Sequence, residues 1–279
     1  MMKRRKLPGL DSPVVLLGKG GSGSRLLSQL ALDGGVALGC NLNSSLDSLD
    51  FVDVVYNAVT RKLSHKGRYS ASTVEKGLRA AASQIVSSLP HDDRSAWGFK
   101  LPECLFLLPE INAAFPRARY AVLFRDPLSA SLRRTHVTSR MDSAVGRAAL
   151  TASYIHCGLD PMTIASDPIE VHNACALAYQ IELLMDFVDD LKGDAARVFI
   201  TFFEDLVRDP SLELEAFANW LGRPLASECG LTRVANQSRA SNVSLFAEAT
   251  SGTLALVSRI LGPAIRRQAE LAASLPERM

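Results

Sequence analysis

The apolar run Val14 to Leu17 passes directly into Gly18-Lys19-Gly20-Gly21-Ser22-Gly23-Ser24-Arg25, and from Ser24 to Leu32 apolar residues recur at helical spacing. Strand, glycine-rich turn and helix follow from that pattern. Glycines let the backbone turn tightly, so that successive N–H groups converge on an anion. The helix N-terminus behind them adds its dipole. The loop therefore reads as an oxyanion site, with a purely structural turn as the alternative. Gly18-x-Gly20-x-x-Gly23 also matches a dinucleotide fingerprint, and Gly18-x4-Gly23 the first half of a P-loop. A P-loop continues with Lys-Ser/Thr, whereas Ser24-Arg25 stands here. A dinucleotide fold wants an acidic residue about 20 positions on, where Asn41 and Asn43 lie.

Further strands are expected at Val36–Gly39, Trp97–Lys100, Arg119–Phe124 and Arg197–Phe203. Between them, helices are expected at Thr73–Leu89, Glu103–Ala114, Pro127–Arg140, Ile169–Leu191 and Leu212–Leu221, with Gly222 closing the last. A mostly helical tail runs from Val243 to Leu275. Such alternation predicts an α/β fold, a P-loop-like parallel sheet with helices on both faces and extra C-terminal helices. Residues 41–72 are polar and mixed, and no element is assigned to them. No repeat or linker divides the chain, so one domain is expected over 1–279, with 1–12 as a basic, flexible tail.

With 47% hydrophobic and 22% charged residues, the composition suits a large buried core. A net charge of +2 lacks the basic excess of a nucleic-acid binder. Met1 to Lys6 resembles the start of a signal peptide, but Pro8, Gly9, Asp11 and Pro13 interrupt it. No stretch approaches the ~18 apolar residues of a membrane span. Cys40, Cys104, Cys157, Cys175 and Cys229 are scattered and form no C-x-x-C pair, which fits a reducing cytoplasm. His156-Cys157 and His172/Cys175 read as core or helix-surface residues rather than as metal ligands, and no metal is expected.

Four segments carry a more specific signal. They are Leu17 to Arg25; Trp97-Gly98-Phe99-Lys100-Leu101-Pro102 with Leu108-Pro109; Phe115 to Pro127; and Ile200 to Leu206 with Asp209-Pro210 and Phe217 to Gly222. In this order they resemble the sulfotransferases that use 3′-phosphoadenosine 5′-phosphosulfate (PAPS). That resemblance implies a 5′-phosphosulfate loop formed by Gly20, Gly21, Ser22, Gly23, Ser24 and Arg25, and a 3′-phosphate arginine at Arg125. Two anion sites at strand carboxyl ends would then share one crevice, and an arginine fork suits phosphate. Two departures stand out. The family usually has Lys or Arg just before Ser-Gly-Thr, where this chain has Gly21, so Lys19 or Arg25 would supply that charge. It also favours Ser eight positions after the arginine, where Arg133 stands; Arg133 would reach the same phosphate as a cofactor-binding residue or face solvent.

Sulfuryl transfer needs in-line positioning and stabilisation of the leaving oxygen. Lys100 is the first candidate for that task, Lys19 the second, with the amides of 21–24 as the preorganised cradle. Glu103 and then His136 are candidate general bases, and Asp47, Asp50 and His65 stay open. Glu204-Asp205 reads as a turn cap rather than a catalytic pair. The acceptor would be a hydroxyl or amine of a small molecule or glycan, and its identity and the oligomeric state stay open. The rival readings are a P-loop kinase-like enzyme, a nicotinamide-dependent oxidoreductase, and a non-catalytic binding module on the same fold.

Overall fold

The structure is a computed structural model that describes residues 9–39, 41–65, 67–89, 96–132, 135–223, 229–240 and 250–275. Its centre is β1 (Val14–Leu17), buried along its whole length. Side chains alternate across a strand, so Val15 and Leu17 enter one apolar layer, Val14 and Leu16 the other. β2 (Val36–Ala37), β3 (Ala96–Lys100), β4 (Arg119–Phe124) and β5 (Val198–Phe202) complete an all-parallel sheet in the order β2-β3-β1-β4-β5. Leu16 is in register with Lys100, Leu17 with Val122, and Phe124 with Phe202. The carboxyl ends of β1, β3, β4 and β5 thus share one edge, where Gly18, Lys100, Arg125 and Phe203 emerge.

One face is covered by α1 (Ser24–Asp33), α8 (Phe203–Arg208), α9 (Pro210–Leu221) and α10 (Cys229–Ala240). The other carries α2 (Val52–Ser64), α3 (Ala71–Ser88), α4 (Leu108–Ala114), α5 (Pro127–Ser131), α6 (Ala144–His156), α7 (Ile169–Asp190) and α11 (Ser251–Ser274). Leu26, Leu27, Leu30 and Ala31 press α1 onto the sheet, each large side chain contributing roughly 1.5–3 kcal/mol by its burial. Gly222 closes α9 at φ 66°, as its sequence position predicts. The two extra C-terminal helices dock from opposite sides. Asp33 Oδ2 accepts the Leu231 N–H of α10 at 2.6 Å, while Arg267 of α11 pairs with Asp186 and Asp189 of α7.

Some segments depart from expectation. The helix predicted from Pro127 to Arg140 stops after five residues, and a 3-10 turn follows at Val137–Ser139. There the His136 side chain accepts from the Thr138 N–H and caps the turn. The predicted Glu103–Ala114 helix divides into a 3-10 turn, Pro102–Leu107, and α4, each opened by a proline. Helices α2 and α6 lie in stretches without a clear period; their buried faces include small residues such as Ala58, Ala148 and Ala149, which give weak contrast. Residues 9–12, expected to belong to a flexible tail, are tied down. Trp97 Nε1 donates to Gly9 O at 2.8 Å, and Asp11 pairs with Arg79 at 2.7 Å. Among the described residues no helix is long and apolar enough to cross a membrane, and no group of His, Cys, Asp and Glu is placed to hold a metal.

Candidate functional site

The glycine-rich loop leaves β1 and turns back through two left-handed residues, Gly21 at φ 90° and Gly23 at φ 96°. A side chain at either position is strained, which gives a physical reason for glycine where the resembling family carries a basic residue. Two further close approaches shape the loop. A Cβ on Gly20 would overlap the His136 ring, and one on Gly23 would overlap Phe203. Ser22 N–H donates to Lys19 O at 3.0 Å, which tightens the turn. Behind it, α1 has no acidic residue in its first turn, so the positive end of its dipole is uncompensated. Ser22 and Ser24 are buried, and Arg25 is exposed.

Lys19 is the basic side chain that the loop folds inward. It is 5% exposed, and its Nζ donates to Gly20 O at 3.2 Å. Burial alone pulls its pKa down to about 8, because a desolvated ammonium favours its neutral form. No carboxylate pairs with it among the described residues. Lys19, Ser22, Arg125 and Gln180 line one small cavity walled by Leu105 and Phe124. Arg125 leaves the end of β4 and is 5% exposed. Its Cζ lies 3.8 Å from the centroid of the Phe203 ring, a cation–π contact that fixes the guanidinium. Its neighbour Asp126 caps α5 instead, accepting from Ser129 N–H at 2.8 Å. Glu204 Oε1 accepts from Asp126 N–H at 3.1 Å, so it holds the turn after β4, and Asp205 pairs with Arg208. One aromatic ring therefore abuts both the loop, at Gly23, and Arg125.

Lys100 ends β3 and is 1% exposed. Its Nζ pairs with Asp47, donates to Ser45 O at 2.9 Å and lies 3.4 Å from Ser24 Oγ at the end of the loop. Burial lowers its pKa, and the Asp47 carboxylate opposes that shift. Asp47 is itself held by a closed turn: Asn43 Oδ1 accepts from Asp47 N–H at 2.9 Å, and Asn43 Nδ2 donates to Asp47 Oδ2 at 2.8 Å.

Glu103 follows within the 3-10 turn and is fully buried. Burial, reinforced by Asp47, pushes its carboxyl up to about 7, and hydrogen bonds and Lys100 oppose the shift. Tyr56 of α2 donates to Glu103 Oε1 at 3.4 Å, and His136 Nε2 stands 3.7 Å from the same oxygen. The Thr138 N–H points at His136 Nδ1 (3.5 Å). With Nδ1 accepting that N–H, a neutral ring carries its proton on Nε2, the nitrogen facing Glu103; Thr138 Oγ1, 3.2 Å from Nδ1, suits either tautomer. A carboxyl balanced near neutrality beside an imidazole, two buried ammonium groups and a buried guanidinium can accept a proton and stabilise transferred anionic charge.

The edge thus gathers Lys19, Gly20, Gly21, Ser22, Gly23, Ser24, Lys100, Glu103, Arg125, His136 and Asp47. Arg25 is exposed in the first turn of α1, near enough for its charge to act on Lys100, His65 is exposed at the far end of α2, and Arg133 lies outside the described residues. Sequence reasoning missed Tyr56 and Phe203. The apolar spacing Phe51, Val55, Val59 marks the helix that carries Tyr56, and Phe203 is the residue just beyond β5.

A model of the sulfotransferase family matches residues 54–227. Solved structures share the fold at low identity. A sulfotransferase domain from the curacin biosynthetic pathway aligns at TM-score 0.51 and 16% identity, over 95% of this chain and 99% of its own. Sulfotransferase STF9 from Mycobacterium avium gives 0.53 and 14%, over 94% and 76%. The sulfotransferase from Alicyclobacillus acidocaldarius gives 0.51 and 13%, over 95% and 97%. No curated protein sequence matches the chain.

Proposed function

Since the chain belongs to the sulfotransferase family, we propose that it moves a sulfuryl group from PAPS to an acceptor hydroxyl or amine of a small molecule or glycan. The observation that carries this reading is the buried, carboxylate-free ammonium of Lys19 facing the same cavity as Arg125. A buried cation without a partner is costly, and an anionic ligand removes that cost. The loop amides of 21–24, with Lys19, are assigned to the 5′-phosphosulfate, and Arg125 to the 3′-phosphate, where the Phe203 ring orients its fork.

The donor supplies the electrophilic sulfur; the chain supplies charge and a base. Glu103, balanced at about 7, takes the acceptor's proton, and the Nε2–H of His136 stabilises the carboxylate before that transfer. Lys100, adjacent to the loop through Ser24, neutralises charge on the departing phosphate together with Lys19. Asp47 opposes the fall that burial imposes on the Lys100 pKa.

Calorimetric titration with adenosine 3′,5′-bisphosphate, the desulfated donor, tests the reading, with magnesium-ATP and NADPH as parallel ligands. Selective micromolar binding of the bisphosphate is expected, followed by transfer when PAPS and an acceptor are supplied. Binding of ATP or NADPH alone overturns it.

A further inference from the structure

A second concavity lies away from the sheet edge, between α2 and α3. Its volume is about 740 Å³, within the roughly 300–1,000 Å³ typical of ligand pockets. Val54, Ala58 and Val74 form an apolar floor, and the Tyr69 ring lines the groove beside it. That ring is held in place: its hydroxyl donates to Glu110 Oε1 at 2.5 Å, and Lys62 pairs with the same oxygen at 2.7 Å. Asn57, Ser70 and Thr73 offer an amide and two hydroxyls around the floor.

Charge is divided along the groove. Arg61 and Arg68 line it, both exposed, and neither guanidinium pairs with a carboxylate among the described residues. Asp53 supplies a single acid, and its eight-residue separation from Arg61 sets the two about 12 Å apart along α2. A small apolar floor suits the C–H face of a pyranose. The amide and hydroxyls suit its hydroxyl groups, and two forked cations suit a carboxylate or sulfate on the ring. We infer that the α2–α3 groove binds an anionic sugar residue, one carrying a carboxylate or sulfate. The site is distinct from the sulfuryl-transfer cleft: Asp53, Asn57 and Arg61 share one face of α2, while Tyr56 meets Glu103 from another.

The test is calorimetric titration of the full chain with a chondroitin 4-sulfate tetrasaccharide, maltotetraose and sodium sulfate in parallel. Adenosine 3′,5′-bisphosphate is titrated into the same samples. Saturable binding of the sulfated tetrasaccharide is expected, at least tenfold tighter than either control. The pair R61A/R68A should weaken it at least tenfold and R61K/R68K less, with the thermal midpoint and any bisphosphate affinity unchanged. Equal binding of maltotetraose removes the role of charge, and equal binding of sulfate removes the sugar; either overturns the inference. So does an R61A/R68A protein that is folded and binds as wild type. Because the groove is read without reference to the cleft, Arg-dependent saccharide binding in a chain that ignores the bisphosphate sustains this inference and sinks the proposed function.

Discussion

His136 Nε2 stands 3.7 Å from Glu103 Oε1, with its ring packed against the Cα of Gly20. The glycine-rich loop and the candidate base are therefore one unit. Glu103→Gln keeps the size of the side chain and removes its ionisation. Transfer should fall by about 10²–10⁴-fold, the usual scale of general-base catalysis, while bisphosphate affinity stays at the wild-type level. Single-turnover kinetics and calorimetry on the same preparation check both halves, and near-normal turnover removes Glu103 from the role.

Two titrations bracket the activity. Glu103 must be ionised to accept a proton, so kcat/KM should rise as pH passes about 7. Lys19 must be protonated to hold an anion, so donor binding should weaken as pH passes about 8. The product is a bell-shaped profile. Lys19→Arg, whose charge does not titrate in this range, should remove the alkaline limb alone. A stability effect accompanies the first shift. The folded-state pKa of Glu103 lies above its ordinary 4.5, so its contribution is fully present below 4.5 and is lost as pH rises through about 7. Thermal unfolding across that window should show the loss in the wild type and a flatter profile in Glu103→Gln.

Arg125→Ala should weaken bisphosphate binding by about 1.5–3 kcal/mol, the scale of a charge-assisted hydrogen bond. Phe203→Leu leaves the guanidinium but removes the ring that orients it. Its loss should be smaller, on the order of 0.5–2 kcal/mol. Calorimetry on the two variants separates the charge from its platform.

Gly21→Lys restores the basic residue usual in the resembling family at a position with φ 90°. The left-handed conformation costs a side chain roughly 1–2 kcal/mol. On the proposed assignment of that charge to Lys19, the variant should melt lower and gain no donor affinity. A gain in affinity without loss of stability counts against that assignment.

Asp47→Ala leaves Lys100 buried beside Ser45 O and Ser24 Oγ without its carboxylate. Breaking a buried pair from one side costs about 3–5 kcal/mol. Denaturant unfolding should show a loss of that size, larger than for a change at the exposed Asp53.

Much of the frame was legible along the chain because its signals are local. An apolar run, a glycine cluster and an apolar period require neighbours within a few residues, and they place β1, the loop, α1, β3, β4 and β5 within a residue or two of their observed bounds. Helix α2 was not legible. Its buried face mixes Val55 and Val59 with Ala58, and its polar residues do not alternate with them cleanly. The early end of α5 was hidden because no glycine or proline follows Ser131 before Arg140 to mark it.

The amino-acid sequence by itself determined that a glycine-rich turn follows a buried strand, and that Lys100, Glu103 and Arg125 come at or just beyond the ends of two other strands. Only the tertiary structure decided which of those charges lie together. Lys19 rather than Arg25 turns inward because Gly21 and Gly23 reverse the backbone between them. Glu103 meets Tyr56 and His136, from segments 47 and 33 residues away. The perturbed ionisation of Lys19 and Glu103 comes from burial, a property of three-dimensional packing that no residue possesses alone.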